Sequence, residues 1–185
     1  MRGRIAAEHQ ASEGRALCRW GDPGYGEMVR RGKQRDHHFD DRLVEAAARL
    51  ISNRWRPDPA PTWVTCVPSN RHQALVPDFA RRLGQRLGLP FVQSIRKVRE
   101  TEPQKTRANS FQQAQNLHGA FIVEPAAIRQ GPVLLVDDMV DSRWTFAVAS
   151  ALLRQAGSGP VYPFALADTS SENGVGHGFG VDSDT

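Results

Sequence analysis

Two adjacent acids, Asp137 and Asp138, follow four apolar residues, Val133 to Val136, and are followed in turn by Asp141, Ser142 and Thr145. A short apolar run of this kind reads as a buried strand, which puts the acids at its carboxyl end. Carboxylates there can take the hydroxyls of a sugar or a magnesium ion, while the hydroxyls and backbone N–H groups of the next turn suit a phosphate. Helix capping accounts equally well for Asp141 or Ser142 alone, because an acid at a helix start stabilises by about 0.5–2 kcal/mol. Capping does not require an acid pair ahead of a hydroxyl-bearing turn. Taken as a set, the residues suit a phosphorylated sugar.

Such residues need elements to position them. Apolar residues at 39, 43, 44, 47, 50 and 51 repeat with helical period behind Asp40 and Asp41, and Pro57, Pro59 and Pro61 end that helix. A β-branched strand follows at 63–67, then an amphipathic helix over 74–87 closed by Gly88. Short strands are expected at 91–95, 120–123, 133–136 and 161–166, a helical turn at 111–117, and a helix from Thr145 to Ala156. Strands alternating with helices imply right-handed crossovers and an α/β fold, a single domain with a mostly parallel sheet flanked by helices. Residues 1–19 are expected to be a flexible segment, 20–167 the domain, and the glycine-rich 168–185 a disordered tail.

With 185 residues, 24% of them charged and 39% hydrophobic, the chain suits one buried core and excludes a low-hydrophobicity disordered protein. No apolar run approaches the roughly 18 residues of a spanning helix, so no membrane role is expected, and the charged N-terminus lacks a signal-peptide pattern. Two cysteines, Cys18 and Cys66, lack metal or redox spacing, and Cys66 at the end of a buried-type strand reads as a core residue. A reducing, cytoplasmic setting is expected. The adjacent His37 and His38 diverge on any regular element, which argues against a shared metal site. Residues 1–110 hold 21 Lys and Arg against 12 Asp and Glu, while 111–185 hold 3 against 8. The basic part suits phosphates on a small molecule or on nucleic acid. Within it Arg30, Arg31, Lys33 and Arg35 read first as a solvated face. The polar stretch 96–110, with Arg99, Lys105 and Arg107, reads as a long loop able to close over a site or as a solvated surface loop.

The run VLLVDDMVDSRWT, residues 133–145, resembles the phosphoribosyl-pyrophosphate (PRPP) signature of type I phosphoribosyltransferases, in which apolar residues precede two acids and a phosphate-binding turn. Arg143 stands where that signature usually has a small residue, and Trp144 is bulky in the next position. The resemblance covers about residues 20–167 and is closest to the ComF-like branch. WVTCVPSNR (63–71) resembles its first strand and pyrophosphate loop, Glu102 to Gln104 with Gln113, Asn116 and Gly119 to Phe121 a second stretch, and Tyr25 to Lys33 a third, with Lys33 in a lysine position. More narrowly, WVTCVPS, LVPDFARRL, KVRETEPQK and LLVDDMVDSRWT look like the domain appended to the C-terminus of some bacterial RecQ-type DNA helicases. The helicase phosphate loop GxxxxGK(S/T) is not in this sequence.

The resemblance implies a type I fold with a small N-terminal hood. It also implies a set of roles. Asp137 and Asp138 would be catalytic, holding the ribose hydroxyls and Mg2+. Asp141, Ser142, Arg143, Trp144 and Thr145 would take the 5′-phosphate, and Pro68, Ser69, Asn70 and Arg71 the pyrophosphate. Arg99, Lys105 and Arg107 would lie on the flexible loop. The implied partners are PRPP, a nitrogenous acceptor whose identity the sequence does not define, and a DNA helicase or other DNA-processing protein; a homodimer is compatible with the resemblance. Three functions follow for comparison: Mg2+-dependent transfer of ribose 5-phosphate with pyrophosphate release, a non-catalytic PRPP- or nucleotide-binding module of a DNA repair or uptake system, and a DNA-binding accessory domain whose affinity would fall steeply with salt.

Overall fold

A computed structural model describes residues 5–69, 71–98, 119–141, 143–169 and 179–181. In chain order its elements are β1 (Gly14–Arg19), α1 (Tyr25–Arg31), α2 (Asp41–Arg49), β2 (Trp63–Cys66), α3 (Leu75–Leu87), β3 (Ile95–Lys97), β4 (Phe121–Val123), β5 (Val133–Val140), α4 (Trp144–Gln155), β6 (Val161–Asp168) and β7 (Phe179–Val181). Five strands form one sheet in the order β2-β5-β6-β1-β7, every pair parallel. The antiparallel pair β3–β4 stands apart from it.

Both faces of the sheet are covered, as parallel sheets require. Leu134 and Val136 of β5 point to one face, where Val29, Leu43, Val44, Val76, Phe79 and Leu83 of α1, α2 and α3 close over them. Val133 and Leu135 point to the other, against Phe146, Ala149 and Leu153 of α4 and Ile95 and Phe121 of the β3–β4 pair. The N-terminal helices are therefore a full layer of the core. α2 starts where its sequence signals it, with the Asp40 carboxylate accepting from the backbone N–H of Arg42 at 2.8 Å. α3 ends at Gly88 in the left-handed conformation (φ 71°), as its composition predicts.

Two boundaries differ from the sequence expectation. Residues 14–19 belong to the domain and not to a flexible segment: β1 lies between β6 and β7, with Ala16, Leu17 and Cys18 at 0–4% exposure. A strand covered on both faces shows no alternation, so three apolar residues between Arg15 and Arg19 gave periodicity nothing to detect. At the other end, Asp168 closes β6 and residues 179–181 pair with β1, so part of the expected tail is an edge strand. Among the described residues no helix is long and apolar enough to cross a membrane.

Candidate functional site

Topology opens a crevice before any side chain is considered. β2 leads into α3 on one face of the sheet, whereas its neighbour β5 leads into α4 on the other. Adjacent parallel strands whose connections leave to opposite faces part beyond their carboxyl ends, and ligands of open α/β sheets bind there. The β2–β5 pairing ends at Cys66 and Val136, with the Val67 N–H donating to the Val136 carbonyl at 2.9 Å. β5 continues to Val140 against β6 alone. Asp137 and Asp138 thus sit on the strand itself, at an edge β2 has left, and not in a loop after Val136. The sequence ends the strand early because carboxylates are rare in buried strands; here the β6 ladder holds it regular.

Asp138 is about one-tenth exposed, and its Oδ2 lies 2.7 Å from the Lys33 ammonium. Lys33 reaches it from the π-helical turn Gly32–Asp36 that extends α1. Neighbouring cations have other partners: Arg30 pairs with Glu27 at 2.7 Å and Arg31 with Asp36 at 2.8 Å. Of the basic cluster, Lys33 is the member that enters the crevice. Asp137 accepts at Oδ1 from the Asp138 N–H at 2.8 Å. Burial first, and then the negative charge of Asp138, push the Asp137 carboxyl well above the usual carboxylate range, against the opposing pull of Lys33.

A raised carboxyl binds its proton more tightly in the folded than in the unfolded chain. Stability is therefore fullest below the ordinary value of 3.8 and falls as pH rises towards the folded value. Asp137→Asn keeps the shape and the acceptor oxygen but cannot ionise. It is expected to be more stable than the parent at neutral pH and equal to it near pH 3.8, as read from urea midpoints across that range. A constant difference at every pH would contradict the assignment.

The other predicted residues that are described lie on the loop leaving β2 and between the end of β5 and the first turn of α4. Pro68 and Ser69 are half-buried on the loop leaving β2, the Ser69 hydroxyl accepts from the His72 N–H at 3.4 Å, and Arg71 is exposed. Asp141 is an exposed bend residue, Arg143 is the residue before α4, and Trp144 and Thr145 are half-buried in its first turn. Among the described residues the Arg143 N-cap position gives α4 no side-chain cap, and the first turn of the helix itself holds no acid. Asn70, Ser142, Arg99, Lys105 and Arg107 lie outside the described residues. Cys66 is a core residue as expected: burial, with Asp137 adding to it, pushes its thiol up to about 12.

Asp137 and Asp138 are the oxygen donors magnesium takes, and magnesium accepts one or two carboxylates when phosphates of a ligand complete its shell. No cluster of three or more His, Cys, Asp and Glu able to hold an ion occurs among the described residues. With Lys33 already on Asp138, the donor set fits a magnesium ion that arrives with a phosphorylated ligand.

The described residues define an open parallel α/β protein with an acid pair at its switch-point crevice. No family model and no curated protein matches the chain. Among solved structures it is similar to glutamine PRPP amidotransferase from B. subtilis complexed with ADP and GMP (17% identity, TM-score 0.43), covering 66% of this chain and 26% of that one. It is also similar to orotate phosphoribosyltransferase from Aeropyrum pernix (21%, TM-score 0.45; 70% and 61% covered) and adenine phosphoribosyltransferase from Leishmania tarentolae (15%, TM-score 0.46; 70% and 72% covered). The chain thus spans about a quarter of the amidotransferase and 61% of the orotate enzyme.

Proposed function

We propose that the crevice between β2 and β5 binds PRPP and that the protein transfers its ribose 5-phosphate to a nitrogenous acceptor with release of pyrophosphate. The observation that carries this reading is the Asp137–Asp138 pair on the free edge of β5, at the switch point and shortly before the start of α4. In it the two carboxyls hold the ribose hydroxyls, and the turn Asp141 to Thr145 takes the 5′-phosphate with help from the α4 dipole. Pro68 to Arg71 faces the pyrophosphate. Magnesium carried by the ligand offsets phosphate charge, with Asp137 and Asp138 as its protein donors. In the reaction the ribose C1–oxygen bond to pyrophosphate breaks, the C1–nitrogen bond forms and the acceptor loses a proton. Positive charge develops on the ribose as pyrophosphate leaves, so fixed dipoles and charges aimed at the two ends supply the catalysis and no protein nucleophile is needed.

A second reading, a PRPP- or nucleotide-binding module without turnover, is favoured by two features: Lys33 on Asp138, and Arg143 at the head of the phosphate turn. The narrower sequence likeness attaches such a module to a DNA helicase or DNA-uptake partner in the cytoplasm, with a homodimer as its assembly state. Calorimetric titration of PRPP with and without magnesium tests both readings. Micromolar, magnesium-dependent binding is expected, weakened about 10- to 100-fold in Asp137→Asn/Asp138→Asn, the worth of a lost charge-assisted hydrogen bond. Pyrophosphate release with an acceptor base then separates the enzyme from the sensor. No binding by the parent protein overturns both.

A further inference from the structure

Lys33 stands where a metal ion on Asp138 would stand. Its ammonium lies 2.7 Å from the Asp138 Oδ2, with 21% of the lysine side chain and 10% of the carboxylate side chain exposed. Asp137 offers a cation little besides, because its Oδ1 already accepts from the Asp138 N–H at 2.8 Å and its carboxyl lies in the field of the same ammonium.

The backbone beneath Lys33 is fixed. A Cβ at Gly32 would meet the His38 carbonyl oxygen at 2.8 Å and the Phe39 Cδ1 at 2.9 Å, and Phe39 is fully buried. The His38 N–H donates to the Gly32 carbonyl at 3.2 Å and closes the turn. The turn therefore sits directly on the core, and what is free to move is the four-carbon side chain. An ammonium on such a stem leaves a carboxylate by rotation about side-chain bonds, without movement of the turn.

Magnesium sheds its water reluctantly. A free ion approaching Asp138 meets a positive charge already on the carboxylate, and nothing offsets the water it must lose. Phosphates change both sides of that balance, since their oxygens reduce the charge of the metal and give the ammonium another partner. We infer that Lys33 is an internal countercation that keeps a free divalent ion off Asp138 and yields the carboxylate to a metal carried by a phosphorylated ligand. The yielding step rests on the proposed function; the exclusion of a free ion stands on the Lys33–Asp138 contact and the fixed turn beneath it. Metal and ligand then bind as one species, and the metal does not bind first.

The test begins with Mn2+ alone, which takes the same oxygen donors and is read directly by electron paramagnetic resonance. Lys33→Met, checked for folding by circular dichroism, is expected to bind Mn2+ about tenfold tighter than the parent, the equivalent of one charge-assisted contact. Lys33→Arg keeps a cation on the turn and should bind like the parent, and Lys33→Met/Asp138→Asn should lose the gain. The parent supplies a second measurement that needs no destabilised variant. The chain has three lysines, Lys33, Lys97 and Lys105, so Lys33→Arg assigns the Lys33 Cε signal in an NMR spectrum. Magnesium alone should leave that signal in place, and magnesium with PRPP should move it. No gain in a folded Lys33→Met, an equal gain in Lys33→Arg, or a Lys33 signal that magnesium moves by itself would overturn the inference. A signal that stays in place while PRPP and magnesium bind would also overturn it and leave the proposed function standing. If PRPP does not bind but Lys33→Met still gains Mn2+, the proposed function falls and the exclusion of the free ion remains.

Discussion

Lys33→Met is expected to lower the stability of the protein by about 3 kcal/mol at neutral pH, the lower end of the range for removing one partner of a buried ion pair. The lower end applies because the Lys33 side chain keeps 21% of its surface and Asp138 10%, so water screens part of the loss. What is lost is less the attraction itself than the compensation of a desolvated carboxylate beside a second one, Asp137. The double variant Lys33→Met/Asp138→Asn removes the stranded charge together with its partner and is expected to recover most of that stability. Urea unfolding of the parent, both single variants and the double variant closes the cycle. If the two single losses simply add, the pair is not coupled, and Lys33 does not hold Asp138 in the folded protein.

Helix α3 shows what the sequence makes legible: its apolar repeat, its closing Gly88 and its two ends are all local signals, and the structure places it at Leu75–Leu87. α2 is equally local, but the chain beyond Arg49 continues as a π-helical turn to Trp55, a change in winding that apolar spacing does not distinguish from more α-helix. β1 and α1 escape detection for opposite reasons. β1 is too thoroughly buried to alternate, and α1 begins at Tyr25 within a stretch whose glycines read as a turn. At the site, the acid pair could be found because both residues are adjacent in the chain. Its partner could not be found from spacing, since Lys33 meets Asp138 only when the N-terminal layer folds over β5. The resemblance singled out the lysine without giving it a contact. His37 and His38 illustrate the same limit: the expectation that they diverge holds, one turning to His72 and the other to Asp78, but neither destination is written locally.

That N-terminal layer depends on one close approach, which leads to the other large effect. Gly26→Ala is expected to destabilise by about 3 kcal/mol, the upper part of the usual range for overpacking. Gly26 is the second residue of α1, and a Cβ there would run into the carbonyl oxygen of Arg19 and lie 3.2 Å from both the Asp22 Cβ and the Gly21 backbone nitrogen. Backbone cannot yield as a long side chain can. Arg19 is the last residue of β1, paired with Asp168, and the following Trp20 N–H donates to the Asp168 carbonyl at 2.9 Å. The helix would have to move instead, and α1 runs straight into the turn carrying Lys33 and His37. Gly21→Ala is the matched control: its φ of 78° also disfavours a side chain, but nothing lies within 4 Å, so it should cost only the left-handed penalty of about 1 kcal/mol. Urea unfolding separates the two costs. If Gly26→Ala also weakens PRPP binding while Gly21→Ala does not, the seating of α1 on β1 sets the position of Lys33 at the acid pair. Equal losses of stability in the two variants would mean that the close approach does not constrain α1.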